Sequence, residues 1–411
     1  MISKLRAGLF LSLWRKCAAH CRQYGLRATV KKIALKVLRR ETTPVMDQGI
    51  LEFYQFVRVQ PVGFPVKAGD CAQNTINWFI PPFGFGSGGH LNIFRFVKML
   101  ECDGFECRII IVGDVQGRTA GELKGLINEW FFPLESQVYI DTATAPAAHI
   151  SMATSWQTAY YLRDFQATVH RCYFVQDFEP LFYSAGSECA WAENTYRFGF
   201  TGITAGGWLK EKLEREYGMQ THAFGFSFDR KLYGLQDLQR KNAGGKKVFF
   251  YARPPTQRRA FEMGVMALHK LSELIPEVEV VFAGWDVAGY QIPFKHQNMG
   301  TLALEQLPEL YRECDAALVL SFTNLSLLPL ELMASGVPVV SNRGACVEWL
   351  LNDSNSRLCE PTIESISLAL YEVLSSTAES DRLRSAGLEL AEATDWEREG
   401  GKVATVLRSL G

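Results

Sequence analysis

The sequence predicts an α/β protein of two Rossmann-like halves facing a central cleft, with a helical extension before them and a closing helix after. Three observations carry this. From Thr75 onward, apolar runs of strand length alternate with segments of helical period, the pattern of parallel sheets covered by helices on both faces. The alternation pauses over Thr221–Gly245, which ends Asn242-Ala243-Gly244-Gly245 like a linker, and then restarts. The length, 411 residues, suits two or three domains. The predicted segments are an extension over 1–45, a first half over 46–225, a second over 226–395 and a closing helix over 396–411.

With 21% charged and 47% hydrophobic residues, the composition is that of a globular chain, which excludes disorder, collagen and coiled coil. Ten cysteines without a C-x-x-C pair give no support to a zinc ribbon or a thioredoxin-like motif and suit a reduced, cytoplasmic setting.

The extension is the first element. Residues 1–40 carry eleven Lys/Arg and no Asp/Glu, whereas the remaining 371 residues hold 32 basic against 44 acidic. A mildly acidic body argues against a nucleic-acid partner. In the arm, Leu5, Leu9, Leu13 and Trp14, then Val30, Ile33, Ala34, Val37 and Leu38, recur at helical spacing among the cations. That pattern predicts a peripheral contact with an anionic membrane; packing on the body or against a second copy in a homodimer is the alternative.

In the first half the strands are expected at Thr75–Ile80, Arg108–Val112, His149–Met152, Cys172–Gln176 and Arg197–Ile203. Helices are expected from Gly89 to Leu100 and from Trp208 to Tyr217. The loop Gly84-Phe85-Gly86-Ser87-Gly88-Gly89 fits G-x-G-x-x-G after a strand, so an NAD(P)-dependent oxidoreductase is one reading. Against it stand the stiff Pro81-Pro82 and the position of Asp114, 25 residues past Gly89, where the fingerprint wants an acid about 20 on. Under either reading the exposed amides of Gly88 and Gly89, opening a helix, can receive a phosphate or an oxyanion.

In the second half the strands are expected at Lys247–Tyr251, Val278–Phe282, Ala316–Leu320 and Val337–Ser341. The helices are Arg258–Leu274, Leu307–Arg312, Pro329–Ser335, Ile363–Ser376 and Ser380–Leu390. Ser326 is read as the N-cap of the third of these, with Pro329 tolerated in its first turn. The amides of Ser326, Leu327 and Leu328 then face an anion, and Glu331 can accept two hydrogen bonds from a ribose diol.

Met333-Ala334-Ser335-Gly336-Val337-Pro338-Val339 behind Glu331 resembles the donor signature of GT-B nucleotide-sugar glycosyltransferases, above all the large retaining family 4. The resemblance spans roughly 74–411 and is specific over about 246–345. It implies that Glu331 holds the ribose and that Arg253 and Arg258 grip the diphosphate, as bidentate donors where relatives use a lysine. It also implies that Met299 and Gly300 lie beside the base. Thr323 stands where the family places an acid facing the donor sugar. Gln176 stands where relatives place a histidine; its amide can bond hydroxyls but cannot be a base. Asp177, with Gln176 and His90, completes the candidate catalytic group.

The combination Phe174-Val175-Gln176-Asp177-Phe178-Glu179-Pro180 with Gly88-Gly89-His90 resembles bacterial thymidine-diphosphate-rhamnose rhamnosyltransferases. The implied function is transfer of rhamnose from a dTDP-sugar (or another sugar from a UDP-sugar) to a hydroxyl of a growing, lipid-linked surface glycan. The implied place is the inner face of the cytoplasmic membrane. No D-x-D triplet occurs, so no metal or other cofactor is expected. A catalytically silent nucleotide-sugar-binding protein of the same fold is the other alternative.

Overall fold

Thr75–Ile80 (β1) is buried along its whole length, as an unbroken apolar run should be when both faces of a parallel sheet are covered. The computed structural model describes residues 49–233 and 245–411. The chain forms two units, 1–58 and 59–411. Of the first, the described part is a helical turn, Ile50–Phe53, and a 3-10 turn, Gln55–Val57. The expectations for the basic arm lie outside the described residues.

The second unit holds two parallel sheets. In the first, β1 is followed by helix α1 (Gly88–Cys102), β2 (Glu106–Ile111), α2 (Ala120–Trp130), β3 (Gln137–Ile140), β4 (Ala148–Ala153) and α3 (Trp156–Asp164). Then come β5 (Thr168–Val175), α4 (Ser187–Asn194), β6 (Thr201–Ala205), α5 (Gly207–Tyr217) and β7 (Thr221–Phe224). The strand order is β3-β2-β1-β4-β5-β6-β7. After a helical turn, α6 (Arg230–Tyr233), the second sheet uses β8 (Lys247–Tyr251), β9 (Glu279–Ala283), β10 (His296–Asn298), β11 (Ala316–Val319), β12 (Val339–Asn342) and β13 (Arg357–Cys359). Their order is β10-β9-β8-β11-β12-β13, with helices α7 (Phe261–Leu274), α8 (Leu307–Arg312), α9 (Leu328–Ala334), α10 (Ala345–Glu348), α11 (Ile363–Ser375) and α12 (Thr377–Glu392) between and after them. The winding reverses between β1 and β4 and again between β8 and β11; in open α/β sheets the crevice at such a point, beyond the carboxyl ends, receives ligands.

Three expectations are corrected. The start of the expected linker, Thr221–Phe224, is a strand paired with β6. The strand expected over Arg197–Ile203 begins at Thr201, behind a 3-10 turn at Thr195–Arg197. The helix expected to start at Arg258 starts at Phe261 (α7, Phe261–Leu274), because Ala260 turns left-handed with φ 47° and leaves Gln257–Arg259 as a separate 3-10 turn. Three helices of eight or more residues were not foreseen: α2, whose Thr119 and Glu122 form a reciprocal capping box, α3, capped likewise by Ser155 and Thr158, and α4.

One apolar core runs through both halves, and a second lies under the other face of the second sheet. The closing helix α13 (Trp396–Ser409) is started by Asp395, which accepts from the Arg398 amide at 2.7 Å. It packs back on the first half: Glu399 accepts from the Gly225 amide at 2.6 Å, and Arg95 of α1 lies 4.5 Å over the Trp396 ring. The halves also meet at Gly206, where a β-carbon would stand 2.8 Å from the Trp349 ring. Among the described residues no helix is long and apolar enough to cross a membrane.

Candidate functional site

The predicted residues gather at the carboxyl ends of the strands. In the second half the site is built around the reversal between β8 and β11. Arg253 follows β8, with its guanidinium 6.0 Å from the Tyr251 ring centroid and no ion-pair partner among the described residues. Arg258 sits in the 3-10 turn that Ala260 ends. Its side chain is 25% exposed, its Nε lies 3.5 Å from Asp177 Oδ2 and its guanidinium stacks 3.8 Å from the Phe182 centroid. Burial lowers its pKa; Asp177 opposes this, and the charges of Arg259 and Arg253 add to it. An arginine stays protonated through such a shift, so the crevice holds crowded positive charge suited to an anion.

Helix α9 (Leu328–Ala334) faces the same crevice. Ser326 is not its N-cap: that place falls to Leu327, in helical conformation and without a side-chain bond. The hydroxyl of Ser326 is thus not spent on the helix. The amides of Ser326, Leu327 and Leu328 have no acceptor among the described residues, as four N–H groups at any helix start must look elsewhere. Glu331 is half-buried, and its carboxyl has neither a hydrogen bond nor an ion pair among the described residues. Burial pushes its pKa up to about 7, with Arg95 pulling it down and Asp229 raising it. Such a carboxylate gains from hydroxyl donors that replace lost water.

Met299 and Gly300 directly follow β10. The Met299 amide donates to the Phe282 carbonyl at 2.9 Å and the Gly284 amide to the Gly300 carbonyl at 2.7 Å. Gly300 has φ 61°, which suits glycine. Met299, with Trp285 beside Gly284, leaves apolar surface exposed at this end of the sheet.

The structure places Thr323 and Asp177 against each other. Thr323 is fully buried and donates its hydroxyl to Asp177 Oδ2 at 3.0 Å; the Asn324 amide donates to Oδ1 at 2.8 Å. Asn324 Nδ2 also donates to the Gln176 and Ala205 carbonyls, at 3.0 and 2.7 Å. Neither Thr323 nor Asp177 offers a free polar atom to a ligand here; together they join the halves. Burial raises the Asp177 pKa, opposed by Arg259, Arg258 and these donors. Gln176 donates its side-chain amide to the Gly89 carbonyl at 3.1 Å, holding the start of α1.

His90 lies in that first turn, its Nδ1 2.7 Å from Ser87 Oγ and its Nε2 buried without a hydrogen bond among the described residues. Burial lowers its pKa, opposed by the nearby Pro81 carbonyl. Gly88 and Gly89 are exposed, but they already belong to the helix. Seven residues separate β1 from α1, so the tight strand-to-helix turn of a dinucleotide fingerprint is absent.

Sequence reasoning missed Arg259, Asn324 and Glu179. Arg259 Nη1 donates to Ser321 Oγ at 2.6 Å. Glu179 is buried and accepts from the Trp156 amide at 2.5 Å and the Tyr173 hydroxyl at 3.2 Å; burial pushes its pKa up to about 8 against these donors. The Arg259–Ser321 and Trp156–Glu179 contacts join residues 62 and 23 apart in sequence, and a local pattern carries no sign of them.

The family described as "WsaF, C-terminal domain" matches residues 246–371, and "WsaF, N-terminal domain" matches residues 127–205. The "O-antigen biosynthesis protein RfbC" of Myxococcus xanthus is 36% identical over 350 residues, which are 82% of this chain; the chain spans 27% of that curated relative's length. Anabaena Alr3699/HepE, solved in complex with UDP-glucose, superposes with a TM-score of 0.65 at 17% identity, over 82% of this chain and 99% of that one. Sucrose-phosphate synthase from Thermosynechococcus elongatus gives 0.63 at 13%, over 82% and 98%. S. aureus TarM, solved with UDP, gives 0.64 at 8%, over 81% and 99%. The fold is that of the GT-B glycosyltransferases.

Proposed function

We propose that this chain is a glycosyltransferase that draws a sugar from a nucleoside diphosphate and adds it to a cell-surface glycan. The observation that carries the reading is the crevice between β8 and β11, where Arg253 and Arg258 share one strand-end site with the free amides of Ser326, Leu327 and Leu328. Two guanidiniums and a set of amides suit the two phosphates, and Glu331, on the same helix, suits the ribose diol. The likeness to RfbC supports a place in O-antigen or similar polysaccharide synthesis.

In the proposed reaction the bond from the sugar's anomeric carbon to the diphosphate breaks and one to the acceptor oxygen forms. The departing phosphate oxygen takes the acceptor's proton. The arginines and amides stabilise the leaving charge, an effect worth several kcal/mol when donors are preorganised (about 2.7–4 for one oxyanion donor). They supply the charge a divalent cation would otherwise bring, so we propose transfer without metal. The acceptor lies near Gly88–His90 in this reading. Rhamnose and thymidine are our choice of sugar and base; the membrane's inner face is our choice of place, through the arm over 1–40, with homodimerisation as that arm's other use.

The test measures nucleotide released from dTDP-rhamnose and UDP-glucose in chelator, with and without a lipid-linked glycan acceptor. Transfer that is lost in Arg253→Ala supports the reading. Tight binding with neither transfer nor hydrolysis would favour the second reading, a silent nucleotide-sugar-binding protein, which the mutual bonding of Thr323 and Asp177 makes worth testing.

A further inference from the structure

We infer that Phe182 is a positioning residue for Arg258, so that grip on the donor's diphosphate is set by the half of the molecule that does not itself hold the nucleotide. The inference rests on the donor site proposed above. Arg258 belongs to the second half, in the turn after β8. Two groups from the first half confine it. The Phe182 ring lies 3.8 Å from its guanidinium carbon on one side, and Asp177 Oδ2 lies 3.5 Å from its Nε.

Both come from the segment that follows β5, where Glu179–Phe182 makes a 3-10 turn. That turn is anchored from below. Glu179 caps the start of α3 through the Trp156 amide, and the Tyr196 hydroxyl lies 3.2 Å from the Glu179 amide nitrogen.

Phe182 is 37% exposed, a poor use of a large apolar ring if packing were its only task. Stacking on a ring face satisfies the flat side of a guanidinium without consuming an N–H. Its edge donors stay in plane and available for bidentate contact with phosphate oxygens. The Arg258 Nε, itself buried, has no hydrogen-bond partner among the described residues, and its distance to Asp177 is too long for a formed bond. The guanidinium is thus oriented but not saturated, as a group awaiting an anion would be.

Isothermal titration calorimetry with UDP and dTDP on the full chain tests this. Phe182→Leu, which keeps apolar bulk but removes the ring, is expected to weaken both nucleotides by roughly five- to thirty-fold, the upper part of the range of a cation–π contact, as suits a largely buried guanidinium. Phe182→Tyr is expected to restore them to within about two-fold, since the ring face is retained. In an Arg258→Ala background, Phe182→Leu should add no further loss. In turnover the donor KM of Phe182→Leu should rise more than kcat falls.

Wild-type affinity in Phe182→Leu, or a penalty that persists without Arg258, overturns the inference while leaving the donor site standing. A wild-type chain that binds neither UDP nor dTDP removes the donor site, and the inference with it.

Discussion

Glu331 and Glu179 are both carboxyls that burial makes reluctant to ionise, yet they call for opposite tests. Each has a folded pKa raised above the ordinary value of 4.5, to about 7 and about 8. A raised acid binds its proton more tightly folded than unfolded. Its stabilising effect is full below about pH 4.5 and fades as pH climbs through the folded value.

For Glu179 the loss runs up to about pH 8. Glu179→Gln keeps an acceptor for the Trp156 amide, so it should flatten the profile and recover roughly 1–3 kcal/mol near pH 9. Melting temperature against pH, for wild type and variant, reads this directly.

Glu331 is half-solvated, so its charge costs less; Glu331→Gln should stabilise the free protein by about 1 kcal/mol at pH 8. With nucleotide the order reverses. A carboxylate is the better acceptor for a diol, so the advantage of wild type over Glu331→Gln in UDP or dTDP affinity should grow between pH 6 and 8. Comparing the two proteins cancels the nucleotide's own phosphate titration. An advantage that does not change with pH would place the ribose elsewhere.

At the scale of elements, two joints fix the site. Gly206 has φ 87° and faces the Trp349 ring, with 2.8 Å left for any β-carbon. Gly206→Ala should therefore cost about 2–4 kcal/mol in a denaturant titration, from the backbone strain and the overpacking together. Asn324 joins β11's loop to β5's and β6's through two carbonyls. Asn324→Ala should cost about 1–3 kcal/mol, and Asn324→Asp more, because a carboxylate would then meet those carbonyls beside Asp177. An Asp variant as stable as the Ala variant would contradict this.

The elements also show what was legible. Thr75–Ile80, Lys247–Tyr251 and Leu307–Arg312 were read to the residue, because each is a clean apolar or helical run with marked ends. The helix after Ser326 was legible while its cap was not, since a cap depends on one residue's dihedrals. The α2 capping box was written in Thr119 and Glu122 and was overlooked, although that signal is local.

For the whole molecule, both halves of the GT-B architecture could be located by pattern, and Arg253, Arg258 and Glu331 could be marked as candidates beyond the strand ends of the second half, because in a parallel α/β sheet the segments that follow strands recur in a fixed rhythm. Contacts across the cleft could not. Asp177 reads as a candidate catalytic acid from its neighbours in sequence, and in the structure it is the joint to Thr323 and Asn324, 146 and 147 residues away. The setting of Arg258 between Phe182 and Asp177 is likewise invisible in the sequence.

The central claim is that a nucleoside diphosphate binds between β8 and β11. Thermal shift with UDP, dTDP, GDP, NAD and NADP, in chelator, on wild type and Arg253→Ala, tests it most directly. The account predicts a shift with UDP or dTDP that needs no metal, and that Arg253→Ala loses about 1.5–3 kcal/mol of that affinity, the worth of a hydrogen bond to a charged group. A shift confined to NAD or NADP and unchanged in Arg253→Ala would contradict it and return the cofactor to the Gly84–Gly89 loop.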